Sequence, residues 1–96
     1  MTAGEELLRR LLSSDTKADL LALFHQSPDL EDNLEGLAGR IGQTPMAIQI
    51  DVEDLLDLGV LKKKPLGESE VIVLDSARDN EIQRMIAHHF KRHGSN

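Results

Sequence analysis

The chain has no cysteine, no tryptophan and no tyrosine, and two phenylalanines among 96 residues. Without thiols there are no disulfides, no thiolate metal sites and no cysteine nucleophile, which suits a reducing compartment. Without aromatic platforms, base stacking on single-stranded nucleic acid has almost nothing to work with. A core must come from Leu, Ile and Val, and a chain this short buries only a modest one. Long apolar runs are also missing. "MTAGEELLRRLLSS" sets acids ahead of paired leucines and reads as neither a signal peptide nor a membrane span. A cytoplasmic, globular protein is expected, with no membrane contact. There is no phosphate-binding glycine loop and no nucleophile elbow, so the reading is a non-enzyme without a cofactor.

Charge is present but unevenly spread. Residues 1–61 hold four bases, Arg9, Arg10, Lys17 and Arg40, against twelve acids. Residues 62–96 hold seven bases against five acids. Attraction to a polyanion must therefore come from the C-terminal third.

Periodicity divides the chain into elements. Leu7, Leu8, Leu11 and Leu12 recur at helical spacing within residues 1–14, and Ser13, Ser14 and Asp15 break that helix and supply caps for the next. "TKADLLALFHQ" turns Leu20, Leu21 and Phe24 inward. "SPDLED" reads as a loop. Asn33 can cap "LEGLAGRI", with Leu34, Leu37, Ala38 and Ile41 inward. Its Gly36 and Gly39 mark either a weak helix held by packing or the close approach of a neighbouring helix. The second is preferred, because Ala38 lies between them. Gly42 suits the left-handed end of this helix. Thr44 caps the next and Pro45 fits its first position, with Ile48, Val52 and Leu55 as the buried stripe. At Gly59 the period changes from 3.6 to 2. "VLKKK" and "EVIVLD", separated by "PLGES", form a hairpin signal over about residues 60–74, with Val71 and Val73 on one face and Ile72 and Leu74 on the other. Asp75 or Ser76 caps a last helix over 76–93, striped by Ile82, Met85, Ile86, His89 and Phe90.

Those elements carry a resemblance. "LEGLAGRIG", "TPMAIQIDVEDLLDLG" and "VLKKKPLGESEVIVL" resemble the positioning helix and turn, the recognition helix and the wing of the winged helix-turn-helix superfamily. The flanking helices look like those through which small MarR-like bacterial or archaeal regulators dimerise. The resemblance implies a mainly α fold, a winged helix-turn-helix with a two-stranded β-hairpin wing and flanking N- and C-terminal helices. It implies one domain over 1–96, with its core at 16–74. It also implies a transcriptional regulator that binds double-stranded DNA, its second motif helix in the major groove.

With Ile48, Val52 and Leu55 inward, that helix turns Met46, Gln49, Ile50, Glu53 and Asp57 outward. Gln49 has the donor–acceptor pair that reads adenine, and Met46 and Ile50 could touch thymine methyls. Glu53 and Asp57 repel phosphate. Two functions stay open. In one, Thr44, Met46, Gln49, Ile50 and the wing residues Lys62, Lys63 and Lys64 bind DNA, helped on the backbone by Lys17, Arg40, Lys91 and Arg92. In the other, the acidic and apolar outward face binds a protein partner, and the acids otherwise only solvate an exposed helix. A homodimer is expected through Leu7, Leu8, Leu11 and Leu12 with Ile82, Met85, Ile86 and Phe90, unless both helices fold back onto their own domain. His89 and His93 stand one turn apart, a spacing able to chelate zinc. They read instead as a stripe residue and a helix-end cation, and no metal is expected.

Overall fold

A computed structural model describes the backbone of residues 3–94 and the side chains of residues 4–88. The order is α1 (Ala3–Leu11), α2 (Asp15–Gln26), α3 (Leu34–Arg40), α4 (Pro45–Asp57), β1 (Leu61–Leu66), β2 (Ser69–Leu74) and α5 (Ser76–Gly94). This is a mainly α winged helix with flanking helices, in the element order that the periodicity predicts and the fold that the resemblance implies.

Local chemistry sets each boundary. The Ser14 hydroxyl accepts from the Lys17 backbone N–H at 3.1 Å and starts α2. The Asn33 side chain accepts from Gly36 N–H at 2.8 Å and starts α3. Thr44 Oγ1 accepts from Ala47 N–H at 3.3 Å ahead of Pro45. Asp75 caps α5 through Arg78 N–H at 3.1 Å. Each cap satisfies a donor that the first helical turn would leave orphaned, worth about 1 kcal/mol. At the end of α3, Gly42 has φ +72°. Gly42 N–H reaches Gly39 O at 3.3 Å and Gln43 N–H reaches Ala38 O at 2.9 Å. That pair of bonds is a Schellman motif, which requires the left-handed residue. The turn swings the chain from α3 into α4.

The core is aliphatic. Leu20, Phe24, Leu37, Ile48, Leu55 and Val60 are fully buried, as is the small Ala38 of α3, and α3 packs on α4. Each such large side chain contributes roughly 1.5–3 kcal/mol of burial. Leu11 of α1 and Ile82 of α5 belong to the same cluster, and α1 packs along α5.

The hairpin pairs Leu61 with Leu74, Lys63 with Ile72 and Leu66 with Ser69. The loop is therefore Gly67–Glu68. Gly67 has φ +63° and no described non-glycine residue has positive φ, which makes it a type II′ turn. Pro65 and Leu66, read from sequence as part of the turn, are strand residues. Pro65 stands one pair from the turn, where an antiparallel ladder has no hydrogen bond to lose. Leu61, Ile72 and Leu74 face the helical core, while Val71 and Val73 are buried on the opposite face. The second edge of β2 is also used. Ile72 N–H donates to Asp32 O at 2.7 Å and Asp32 N–H to Ile72 O at 3.4 Å, so the segment expected as plain loop ties α3 to the wing.

The glycines of α3 depart from expectation. A Cβ on Gly36 would lie 2.0 Å from the Asp32 carboxylate, and one on Gly39 would meet nothing within 4 Å. The close approach is therefore to a loop carboxylate at one glycine, and not to a helix at both.

Candidate nucleic-acid interface

The buried stripe of α4, with Ile48 and Leu55 at 0% exposure, fixes which side chains leave the protein. At 100° per residue, Met46, Ile50, Glu53 and Asp57 fall on one narrow stripe opposite that core. Met46 and Ile50 are 86% and 78% exposed. Gln49 lies beside them, and its Nε2 donates to Glu53 Oε1 at 3.3 Å. Thr44 is exposed, with its hydroxyl engaged by the cap.

The other two acids of α4 serve a different purpose. Asp51 accepts from the Ser14 hydroxyl at 2.9 Å. Asp54 is ion-paired with Lys17 and, at 3.0 Å, with Arg10. The Lys17 ammonium, and next the Arg10 guanidinium, hold the Asp54 carboxyl below its ordinary value, against a smaller opposing effect of burial. Lys17 is 5% exposed. Its Nζ also donates to Arg10 O at 3.1 Å and to Ser13 Oγ at 2.9 Å, so its three protons are all used. The expectation that Lys17 touches phosphate is corrected: it locks the α1–α2 elbow to α4. Arg40, the other N-terminal candidate, is paired with Asp32 at 2.9 Å. Its stem leaves it half exposed, but its charge is already shared.

The wing lysines differ among themselves. Lys62 and Lys64 stand across the ladder from Val73 and Val71. On that shared face the lysines are exposed and the valines buried. Lys64 pairs with Glu31. Lys63 lies on the other face, opposite Ile72. Lys62 and Lys63 have no ion pair among the described residues. β1 is the outer strand of the pair, and lysines with a proline also guard such an edge against pairing with other chains.

The leucine stripe of α1 divides. Leu11 and Ile82 are 6% and 1% exposed within the chain's own core, so little of either is left for a second copy. Leu7 and Ile86 are partly buried against it. Leu12 is 57% exposed, and Leu8 and Met85 are half-buried. The side chains of Phe90, Lys91, Arg92, His89 and His93 lie outside the described residues.

Several structural links had no local sequence signal. Arg78 donates from Nε to Leu58 O at 3.1 Å and from a terminal nitrogen to Glu81. Its stem runs 3.2 Å from where a Cβ on Gly59 would sit, so α5 grips the C-terminus of α4. His25 Nε2 lies 3.0 Å from Asp79 Oδ1 and joins α2 to α5. These pairs span 20 and 54 positions, and only the fold brings them together. Among the described residues no group of His, Asp and Glu could hold a metal ion. None of the described helices is long and apolar enough to cross a membrane.

No family model matches the chain, and no curated protein matches it. Its fold does match solved structures. One is the antimony-specific transcriptional repressor AntR, with a TM-score of 0.59 and 21% identity, covering 97% of this chain and 84% of that one. Another is a possible transcriptional regulator from Methanosarcina mazei Go1, with a TM-score of 0.57 and 18% identity, covering 94% and 82%. At these identities the likeness is one of fold. The chain has a winged helix-turn-helix fold, shared with a transcriptional repressor and a possible transcriptional regulator.

Proposed function

We propose that the protein is a cytoplasmic, DNA-binding transcriptional regulator whose affinity comes from the wing. The observation that carries this reading is the division of positive charge. Lys17, Arg10 and Arg40 are tied to Asp54 and Asp32, whereas Lys62 and Lys63, on the hairpin that follows α4, have no ion-pair partner among the described residues. Phosphate neutralisation by lysines supplies most non-specific affinity. The first turns of α4, with Thr44, Met46, Gln49 and Ile50, then face the groove. Its N-terminal end carries the favourable end of the helix dipole toward phosphate. Lys64 shares its charge with Glu31 and contributes less.

The protein acts as a homodimer in this reading. The apolar surface left on α1 and α5 by their own packing, Leu8, Leu12 and Met85, meets its copy across a two-fold axis. Sedimentation at high micromolar concentration should give a dimer mass, and Leu12→Asp should halve it. A monomer at that concentration removes the dimer from the proposal.

A second reading has its own support. Met46 and Ile50 are large, apolar and exposed beside two carboxylates, which suits a protein partner. Titration of a labelled random duplex separates the two. Regulator function requires binding at low salt that weakens steeply at moderate salt. Absence of binding even at low salt would leave the protein-partner reading in its place.

A further inference from the structure

The outward stripe of α4 changes character along its length. Met46 and Ile50 come first, one turn apart, with Gln49 at their side. Glu53 and Asp57 follow on the same stripe, Asp57 about 10 Å beyond Ile50 at 1.5 Å per residue. The helix has no Lys or Arg. In helix-turn-helix complexes the N-terminal residues of the second helix reach the base edges, and here those residues are the uncharged ones.

The bases present different groups to such a surface. Guanine offers the acceptors N7 and O6, matched best by Arg or Lys, and α4 has neither. Thymine offers a methyl group, which suits Met46 and Ile50. Adenine offers an acceptor at N7 and a donor at N6, which an amide side chain matches with two hydrogen bonds. The Gln49 amide is already oriented for this. An ionised carboxylate only accepts, so the nitrogen of Gln49 must be the atom facing Glu53 Oε1. The second N–H and the carbonyl oxygen of Gln49 remain for a base.

We infer that α4 selects A·T-rich duplex DNA through the major groove. Met46 and Ile50 pack on thymine C5 methyls, Gln49 reads adenine, and Glu53 is a positioning residue for the Gln49 amide. This rests on the proposed DNA binding. It also gives the acids a place: Glu53 orients, and Asp57 lies beyond the reading patch.

The test titrates the full chain with alternating duplexes of equal length, containing dA-dT, dA-dU, dI-dC or dG-dC. The dA-dT duplex should bind roughly ten- to a hundred-fold tighter than dG-dC, the range for one good bidentate contact. Removing the thymine methyls in dA-dU should cost about three- to five-fold per contacted methyl. Inosine looks like guanine from the major groove and like adenine from the minor groove, so dI-dC should follow dG-dC. Ile50→Ala should narrow the thymine–uracil difference to the share that Met46 holds, and Gln49→Ala should erase the difference between dA-dU and dI-dC. Both side chains are exposed, so the fold survives. Glu53→Ala should strengthen binding to every duplex yet narrow the adenine preference, whereas simple loss of repulsion leaves the preference intact. If dI-dC binds like dA-dT, the minor groove is being read and the inference falls. Equal binding to all four overturns it while leaving DNA binding in place. No binding to any duplex at low salt overturns both.

Discussion

The two flanks of α4 carry two acids each and use them in opposite ways. Toward the α1–α2 elbow, Asp51 takes the Ser14 hydroxyl and Asp54 takes Lys17 and Arg10. On the outward stripe, Glu53 holds only the Gln49 amide and Asp57 has no partner among the described residues. A helix with four acids and no base looks repellent to DNA when its charges are counted in one dimension. Once each carboxylate is assigned a neighbour, half of the acids serve the fold: Asp54 is neutralised by two cations and Asp51 is held by a hydroxyl. The same division runs through the bases: Arg9, Arg10, Lys17 and Arg40 each have a carboxylate partner, while Lys62 and Lys63 have none among the described residues.

The largest effect that could break this contrast is on stability. Asp54→Asn leaves the Lys17 ammonium, 5% exposed, without its carboxylate. A fully buried pair broken on one side costs about 3–5 kcal/mol. Asp54 is 30% exposed, so screening reduces the expected loss to about 2 kcal/mol. A urea unfolding midpoint measures it. Glu53→Gln and Asp57→Asn should each change the unfolding free energy by less than about 0.5 kcal/mol. Equal effects on the two flanks would erase the distinction.

A pH titration sharpens it further. The folded-state pKa of Asp54 lies below its ordinary value. Its contribution is therefore fully present above that ordinary value, and is lost as pH falls through the folded pKa. The urea midpoint of the wild type should drop through the acid range below about pH 4. Asp54→Asn should flatten that part of the curve.

The smallest expected effect is on binding. Glu53→Gln with Asp57→Asn removes like-charge repulsion on the outward stripe. Binding to a random duplex should strengthen by about two- to five-fold at low salt, at the scale of about 0.5–1 kcal/mol for exposed charges. Duplex binding left unchanged by this change would mean that the stripe does not face DNA.

Much of the scaffold was legible because it is written locally. Ser14, Asn33, Thr44 and Asp75 cap the helices that follow them, and Gly42 must be left-handed where α3 ends. The change of period at Gly59 marked the hairpin, and the alternation of Val71 to Leu74 assigned its faces correctly. What could not be read depends on which distant residues meet. Lys17 looked like a surface lysine because nothing within its own helix neutralises it; its partner, Asp54, is 37 positions away. Asp32 sat in a loop-like sequence, yet its backbone adds a bridge to β2 and its carboxylate fills the space left by Gly36. The leucines of α1 showed an amphipathic stripe, and the sequence could not say that Leu11 is absorbed by the chain's own core while Leu12 is left outside.

The most direct measurement is the salt dependence of random-duplex binding in two paired variants. Each phosphate neutralised by a lysine contributes about 0.9 to the slope of log K against log salt. Lys62→Ala with Lys63→Ala should lower that slope by about 1.8. Arg40→Ala, whose charge is held by Asp32, should leave it nearly unchanged. A slope that is insensitive to the wing pair, or that falls as much with Arg40 as with the lysines, would contradict the division of charge on which wing-led DNA binding rests.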